Sequence, residues 1–164
     1  IVQVAMTNLQ AAIEQSGAQI QLGDLPMVRA NRLQCIQLMQ NLIGNALKYH
    51  SERTPLISIS AVAEGPRWRI SIADNGIGID PVHHERIFQV FQRLHGREQF
   101  EGNGIGLSLC QKIVLAHGRT IGVESQLGQG ATFWFTLPDA MAATDPMPNS
   151  GMYPIVDVYG EGQM

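Results

Sequence analysis

The sequence predicts an α+β protein, a two-layer α/β sandwich in which about three helices cover a mixed, mostly antiparallel sheet. Three observations lead there. Apolar residues recur at helical spacing over 2–15, 31–49 and 104–117. They alternate as in strands over 18–22, 57–63, 68–73, 120–124 and 131–137. The strand pairs 57–63/68–73 and 120–124/131–137 are joined by turns too short for a crossover helix. Helices and antiparallel strands in this mixture pack as layers around one core.

Val2, Met6, Leu9, Ala12 and Ile13 give one helix from Val2 to Gln15 its apolar face, and Ser16-Gly17 ends it. Ala18 to Leu22 reads as a strand, and a short Met27-Val28 strand follows Pro26. Asn31 suits the N-cap of a long helix to Tyr49, because its side chain can accept an orphan N–H of the first turn. Leu33, Ile36, Met39 or Gln40, Ile43, Ala46 and Leu47 form that helix's buried stripe. Ile57–Ala63 and Trp68–Ala73 pair across Glu64-Gly65-Pro66. Asp80-Pro81 opens a short helix, with Asp as cap and Pro in the first turn. Residues 92–103 lack periodicity and read as a mobile loop. Gly104–His117 is a helix with Ile105, Leu109, Ile113 and Ala116 inward, closed by Gly118. Thr120–Glu124 and Ala131–Leu137 are strands joined by Gly128-Gln129-Gly130. The pattern fails after Pro138, so 1–138 is the expected domain and 139–164 a linker or C-terminal tail. Tyr153–Tyr159 alternates like a strand and could instead begin a following domain; the tail is the preferred reading.

At 164 residues one domain can bury a real core. A net charge of −3 with 15 % charged residues gives no basic excess for nucleic acid and no cationic amphipathic face for a membrane. No apolar run has the length of a membrane span, and no signal-peptide pattern opens the chain. Starting at Ile1, it reads as a piece of a longer protein. Cys35 and Cys110 sit among apolar neighbours and read as reduced core residues of a cytoplasmic protein. No Cys/His spacing suits zinc.

The chemistry gathers in three places. Ile70–Ala73 runs into Asp74 and then Gly76 and Gly78. An ionised carboxylate only accepts hydrogen bonds, so an Asp held there selects an N–H₂ edge such as the 6-amino group of adenine, where guanine carries a carbonyl. Alone, the same residues also suit a plain hairpin turn. Asn41 and Asn45 project from one face of a helix, and Lys48 and Tyr49 extend it. Amide oxygens suit Mg²⁺, which takes few protein ligands, although a solvated helix face would look alike. Gly102, Gly104 and Gly106 precede and open a helix, whose first N–H groups and dipole favour an anion such as a triphosphate.

Taken in order, Asn41–Tyr49, Asp74–Ile79, Phe88–Phe91, Gly102–Leu107 and Gly128–Phe133 resemble a known set of motifs. They look like the N box, first glycine box, F box, second glycine box and final glycine-Thr segment of sensor histidine kinase catalytic domains, which have the Bergerat fold. The resemblance runs from about residue 2 to about residue 138, and Phe91–Glu98 looks most like the phytochrome-type and PAS-linked subgroup. It implies ATP and Mg²⁺ as cofactors. By resemblance Asn45 is the metal ligand, Asn41 helps place metal and phosphates, and Lys48 faces phosphate; these three are the catalytic set. Asp74 receives adenine, supported by Thr132 directly or through water. Tyr49, Gly76, Gly78, Ile79, Phe91, Gly102, Asn103, Gly104, Ile105, Gly106 and Leu107 complete the nucleotide site. Arg93–Asn103 would be a lid, with Arg93, His95 and Arg97 either meeting the γ-phosphate or belonging to a solvated loop. Phe88 and Phe91 could anchor it, or simply pack in the core.

In ATPases of the same superfamily the position of Asn41 is a Glu that activates water. An amide has no such basicity, which favours phosphoryl transfer over hydrolysis. The resemblance further implies an acceptor His on a separate dimerisation domain and a response regulator as partner, with this piece alone monomeric. His50–Leu56 imitates the acceptor motif but follows the N box and heads into a strand, so it reads as a decoy. His84-Glu85-Arg86 reads as helix surface, and His117 as a helix C-terminal residue favourable when charged. A nucleotide-sensing pseudokinase, or a Ser-directed kinase of the superfamily, are the alternatives.

Overall fold

The computed structural model describes residues 1–90, 104–142 and 151–155. The elements are α1 (Val2–Asn8), α2 (Gln10–Ser16), β1 (Gln19–Leu22), β2 (Met27–Ala30), α3 (Arg32–Lys48), β3 (Leu56–Glu64), β4 (Arg67–Asp74), α4 (Gly106–Ala116), β5 (Ile121–Ser125), β6 (Ala131–Pro138) and β7 (Gly151–Pro154). Five strands form one sheet in the order β1-β3-β4-β6-β5. Only β1–β3 is parallel; the β3–β4, β4–β6 and β5–β6 pairs are antiparallel, so the sheet is mixed and mostly antiparallel as expected. Ile57, Ile59, Ile70, Ile72, Phe133 and Phe135 alternate onto the buried face and meet α3 and α4 there. Among the described residues no helix is long and apolar enough to cross a membrane.

The Asn31 cap forms as expected, its side chain accepting from the Gln34 N–H at 3.1 Å. The α3 stripe is Cys35, Ile36, Leu38, Met39, Leu42, Ile43, Ala46 and Leu47. Leu33, expected inside, is 74 % exposed because it lies in the first turn off that stripe. In α4 the buried face is turned from the expected one and runs through Ser108, Cys110, Ile113 and Val114, leaving Ile105 exposed. The single N-terminal helix is two, α1 and α2, broken at Leu9. The Thr7 hydroxyl donates back to the Gln3 carbonyl at 2.9 Å, a bond that bends helices, and Thr7 and Asn8 are weak helix formers. The helix after Asp80 is reduced to 3₁₀ turns at Pro81–His83 and Arg86–Phe88, the first capped by Asp80 as expected.

Beyond Pro138 the described residues, 139–142 and 151–155, pack on the domain. Asp139 bridges to Val28, and β7 pairs antiparallel with β2, Val28 opposite Tyr153. Ile155 is 1 % exposed, and its carbonyl accepts from the Val2 N–H at 2.7 Å. That bond satisfies one of the orphan N–H groups of α1, whose N-cap supplies no side-chain bond.

Candidate functional site

Asp74 closes β4 at the end of the sheet. Its Oδ1 accepts from the Gly76 N–H at 2.8 Å and from the Ala131 N–H at 3.2 Å. No described residue donates to Oδ2. Burial pushes the Asp74 pKa above the usual carboxylate value, and the two backbone bonds pull it partly back. Its wall continues into a cavity of about 240 Å³ shared with Glu124, Ser125, Gln126, Gln129 and Thr132.

The glycines around Asp74 are dictated by contact. Gly78 has φ +69°, and a Cβ there would sit 2.0 Å from the Gln126 carbonyl oxygen. Gly130 has φ +79°, and a Cβ there would sit 2.0 Å from the Asp74 carbonyl oxygen. The two loops can therefore lie backbone to backbone, joined by Gly128 N–H to Ile77 C=O at 2.7 Å. Ile77 N–H in turn donates to the Tyr49 carbonyl at 3.0 Å, which ties the loop to the end of α3. Ile79 donates its N–H to Ser125 Oγ at 2.8 Å.

Asn41 and Asn45 are half-buried on α3, and neither amide side chain bonds a described residue. A Cβ on Gly106 would lie 3.2 Å from Asn41 Oδ1, so the start of α4 and the Asn41 amide share one wall. α4 has no side-chain N-cap, so no cap side chain takes up the N–H groups of its first turn. Gly104 takes φ +66° ahead of it, with Ile105 exposed and Leu107 half-buried alongside. Lys48 Nζ donates to the Tyr49 hydroxyl at 2.9 Å and lies 4.5 Å from that ring's centre. That leaves two ammonium N–H groups without a partner among the described residues.

Asp74, Gly76, Gly78, Ile79 and Thr132 are thus gathered at one end of the sheet, and Asn41, Asn45, Lys48, Tyr49, Gly104, Ile105, Gly106 and Leu107 along the α3–α4 edge. Phe91, Arg93, His95, Arg97, Gly102 and Asn103 lie outside the described residues. Thr132 pairs with Ala73 across β4–β6, but its hydroxyl makes no direct bond to Asp74; the Ala131 N–H does that instead. Phe88 is buried edge-on against Phe133, centroids 6.3 Å apart, which is core packing. His84 and Glu85 belong to a turn, not a helix surface. His50 is exposed in the loop between α3 and β3.

His117 departs from expectation. It is 3 % exposed; Nε2 accepts from the Asn31 N–H at 3.0 Å, and Nδ1 donates to the Ile113 carbonyl at 2.7 Å. Those partners require a neutral ring with its proton on Nδ1, so it joins α4 to the cap of α3 rather than placing charge on a dipole. Three contributors escaped the sequence reading. Asn75 donates to the Thr54 carbonyl at 3.0 Å and accepts from the Leu56 N–H at 2.9 Å, holding the α3–β3 loop. Ser125 and Ala131 act through partners far away in sequence.

The sequence model of the "histidine kinase-, DNA gyrase B-, and HSP90-like ATPase" family matches residues 30–141. Cyanobacterial phytochrome A of Nostoc sp. is 51 % identical over 134 residues, covering 82 % of this chain and 18 % of its own. The chain thus spans less than a fifth of that relative's length. Full-length ShkA, solved in complex with AMPPNP, superposes with a TM-score of 0.68 at 33 % identity, over 83 % of this chain and 28 % of ShkA. The catalytic domain of the histidine kinase ThkA superposes with a TM-score of 0.70 at 25 % identity, over 84 % of this chain and 90 % of that one. With a match over most of its length and the same fold, the chain belongs to the histidine kinase-, DNA gyrase B- and HSP90-like ATPase family.

Proposed function

We propose that this is the ATP-binding catalytic domain of a sensor histidine kinase, presenting the γ-phosphoryl of ATP to a His on a separate dimerisation domain, from which a response regulator is served. The observation that carries the reading is Asp74, with one oxygen tied down by backbone N–H groups and the other left to accept from the adenine amino group. The neighbouring half-buried amides of Asn41 and Asn45, without described partners, support a phosphate-bound Mg²⁺. Among the described residues no three His, Cys, Asp or Glu gather around a possible metal site, so an amide-and-phosphate site fits better than an all-protein cage. When bound, Mg²⁺ neutralises phosphate charge.

The protein's own part is positioning. Asp74 fixes the base, the first turn of α4 offers N–H groups to the phosphates, and Asn41 and Asn45 hold the metal side. Asn41 also leaves the site without a carboxylate base at the position where superfamily ATPases use one, so bound ATP waits for a better nucleophile.

Calorimetric titration with AMPPNP, with and without Mg²⁺ and against a guanine analogue, tests the site. Micromolar, Mg²⁺-dependent, adenine-selective binding is expected, with Asn45→Ala losing the Mg²⁺ dependence. A folded chain that ignores the nucleotide would end the proposal. Phosphoryl transfer from ATP to an added acceptor domain tests the kinase step; binding without transfer would leave a nucleotide-sensing module.

A further inference from the structure

Ser125 is the last residue of β5, and its hydroxyl has partners in both loops beside Asp74. Its Oγ accepts from the Ile79 N–H at 2.8 Å and donates to the Gly130 carbonyl at 2.6 Å. The second bond matters because of peptide geometry. The Gly130 C=O and the Ala131 N–H belong to the same planar, trans peptide unit and point in opposite directions. Ser125 grips the oxygen side of that plane; Asp74 Oδ1 receives its hydrogen side at 3.2 Å. Gly130, with φ +79° and no side chain between it and the Asp74 backbone, lets the plane come this close but also leaves it rotationally permissive.

We propose that Ser125 is a positioning residue for base recognition: by holding the Gly130 carbonyl it aims the Ala131 N–H at Asp74 Oδ1. The other carboxylate oxygen then stays turned to the amino edge of the base. Only that last step rests on the nucleotide reading above. A hydroxyl is required at 125, since one group must accept from Ile79 and donate to Gly130 at once. Of the described residues lining two cavities beside Asp74, Glu124 is the other charged one, and it is paired with Arg69. The Ala131 bond lowers the Asp74 pKa, so its loosening has a signature that loss of packing does not share.

The test follows the Asp74 side-chain carboxyl by ¹³C NMR through a pH titration of the ligand-free chain, in wild type, Ser125→Ala and Ser125→Thr. Asp74 is expected to titrate at higher pH in Ser125→Ala and to return to the wild-type value in Ser125→Thr. In calorimetry, Ser125→Ala should narrow the preference for AMPPNP over the guanine analogue by about tenfold, the equivalent of one hydrogen bond to a charged group. A folded Ser125→Ala chain in which Asp74 titrates as in wild type would overturn the proposal, whatever happens to its melting temperature. Should wild type bind neither nucleotide, the nucleotide reading falls while the ligand-free titration still decides the role of Ser125.

Discussion

At the scale of single residues, Asp74 sets function against stability. Burial holds its pKa above the ordinary value, so the folded protein takes up that proton at higher pH than the unfolded chain does. The ionised carboxylate therefore subtracts from stability above the raised pKa, and the deficit disappears as pH falls through it towards the ordinary value. Asp74→Asn keeps an oxygen for Gly76 and Ala131 while removing the buried charge. It should melt no lower than wild type at pH 8, lose that margin in acid, and bind no AMPPNP; calorimetry beside a thermal melt checks all three. Wild-type affinity should begin to fall at a pH above the usual carboxylate range, since a proton on the open oxygen turns an acceptor into a donor. Gly130→Ala should cost at least about 2 kcal/mol by denaturant titration, from a positive φ and backbone overlap together. Asp74, Gly76 and Gly78 were legible because they form one local pattern at a strand end, in which the Gly76 N–H meets the Asp74 carboxylate two residues away. Ser125, Asn75 and Ala131 were not, because a hydroxyl, an amide or a backbone N–H takes its meaning from a partner that only the fold supplies.

Among the elements, α3 is the best specified. A side-chain cap and a 3.6-residue apolar period mark it locally, and it runs within a residue of its expected ends. Asn31→Ala should lower stability by about 1 kcal/mol in a denaturant titration, the usual worth of an N-cap. His117→Phe removes the acceptor that the Asn31 N–H uses and should slow nothing but weaken the α3–α4 contact, read as faster amide exchange at Asn31. The strands of β3–β4 and β5–β6 were legible from alternation and short turns. The parallel β1–β3 pairing was not, since nothing local says which strand a distant segment will join. The turned face of α4 has the same origin: Leu109, Cys110, Ile113 and Val114 offer two overlapping apolar faces, and packing against α3 and the sheet selects between them.

At the scale of the whole molecule, the Asp74 end and the β2–β7 end are separate pieces of the design. The site draws on α3, α4, β4 and the β5–β6 loop, whereas Ile155 packs with Val28 and the start of α1. Ile155→Ala should therefore cost about 2–4 kcal/mol, a core-sized loss seen in the melting transition. AMPPNP affinity should stay within about twofold at a temperature where the variant is folded. Composition gave no warning of this packing, because residues 139–150 carry the prolines and polar residues of a connector.

The bond from Val2 N–H to Ile155 C=O joins almost the two extremes of the described chain. During synthesis the first turn of α1 and the outer edge of β2 emerge long before their partner exists. The entropy of closing so large a loop grows only slowly with its length, so the finished protein loses little by the arrangement. The nascent chain bears the burden instead. Until the ribosome has released β7, Met27–Ala30 is an open edge strand, available to a neighbouring chain on the same messenger as readily as to its own.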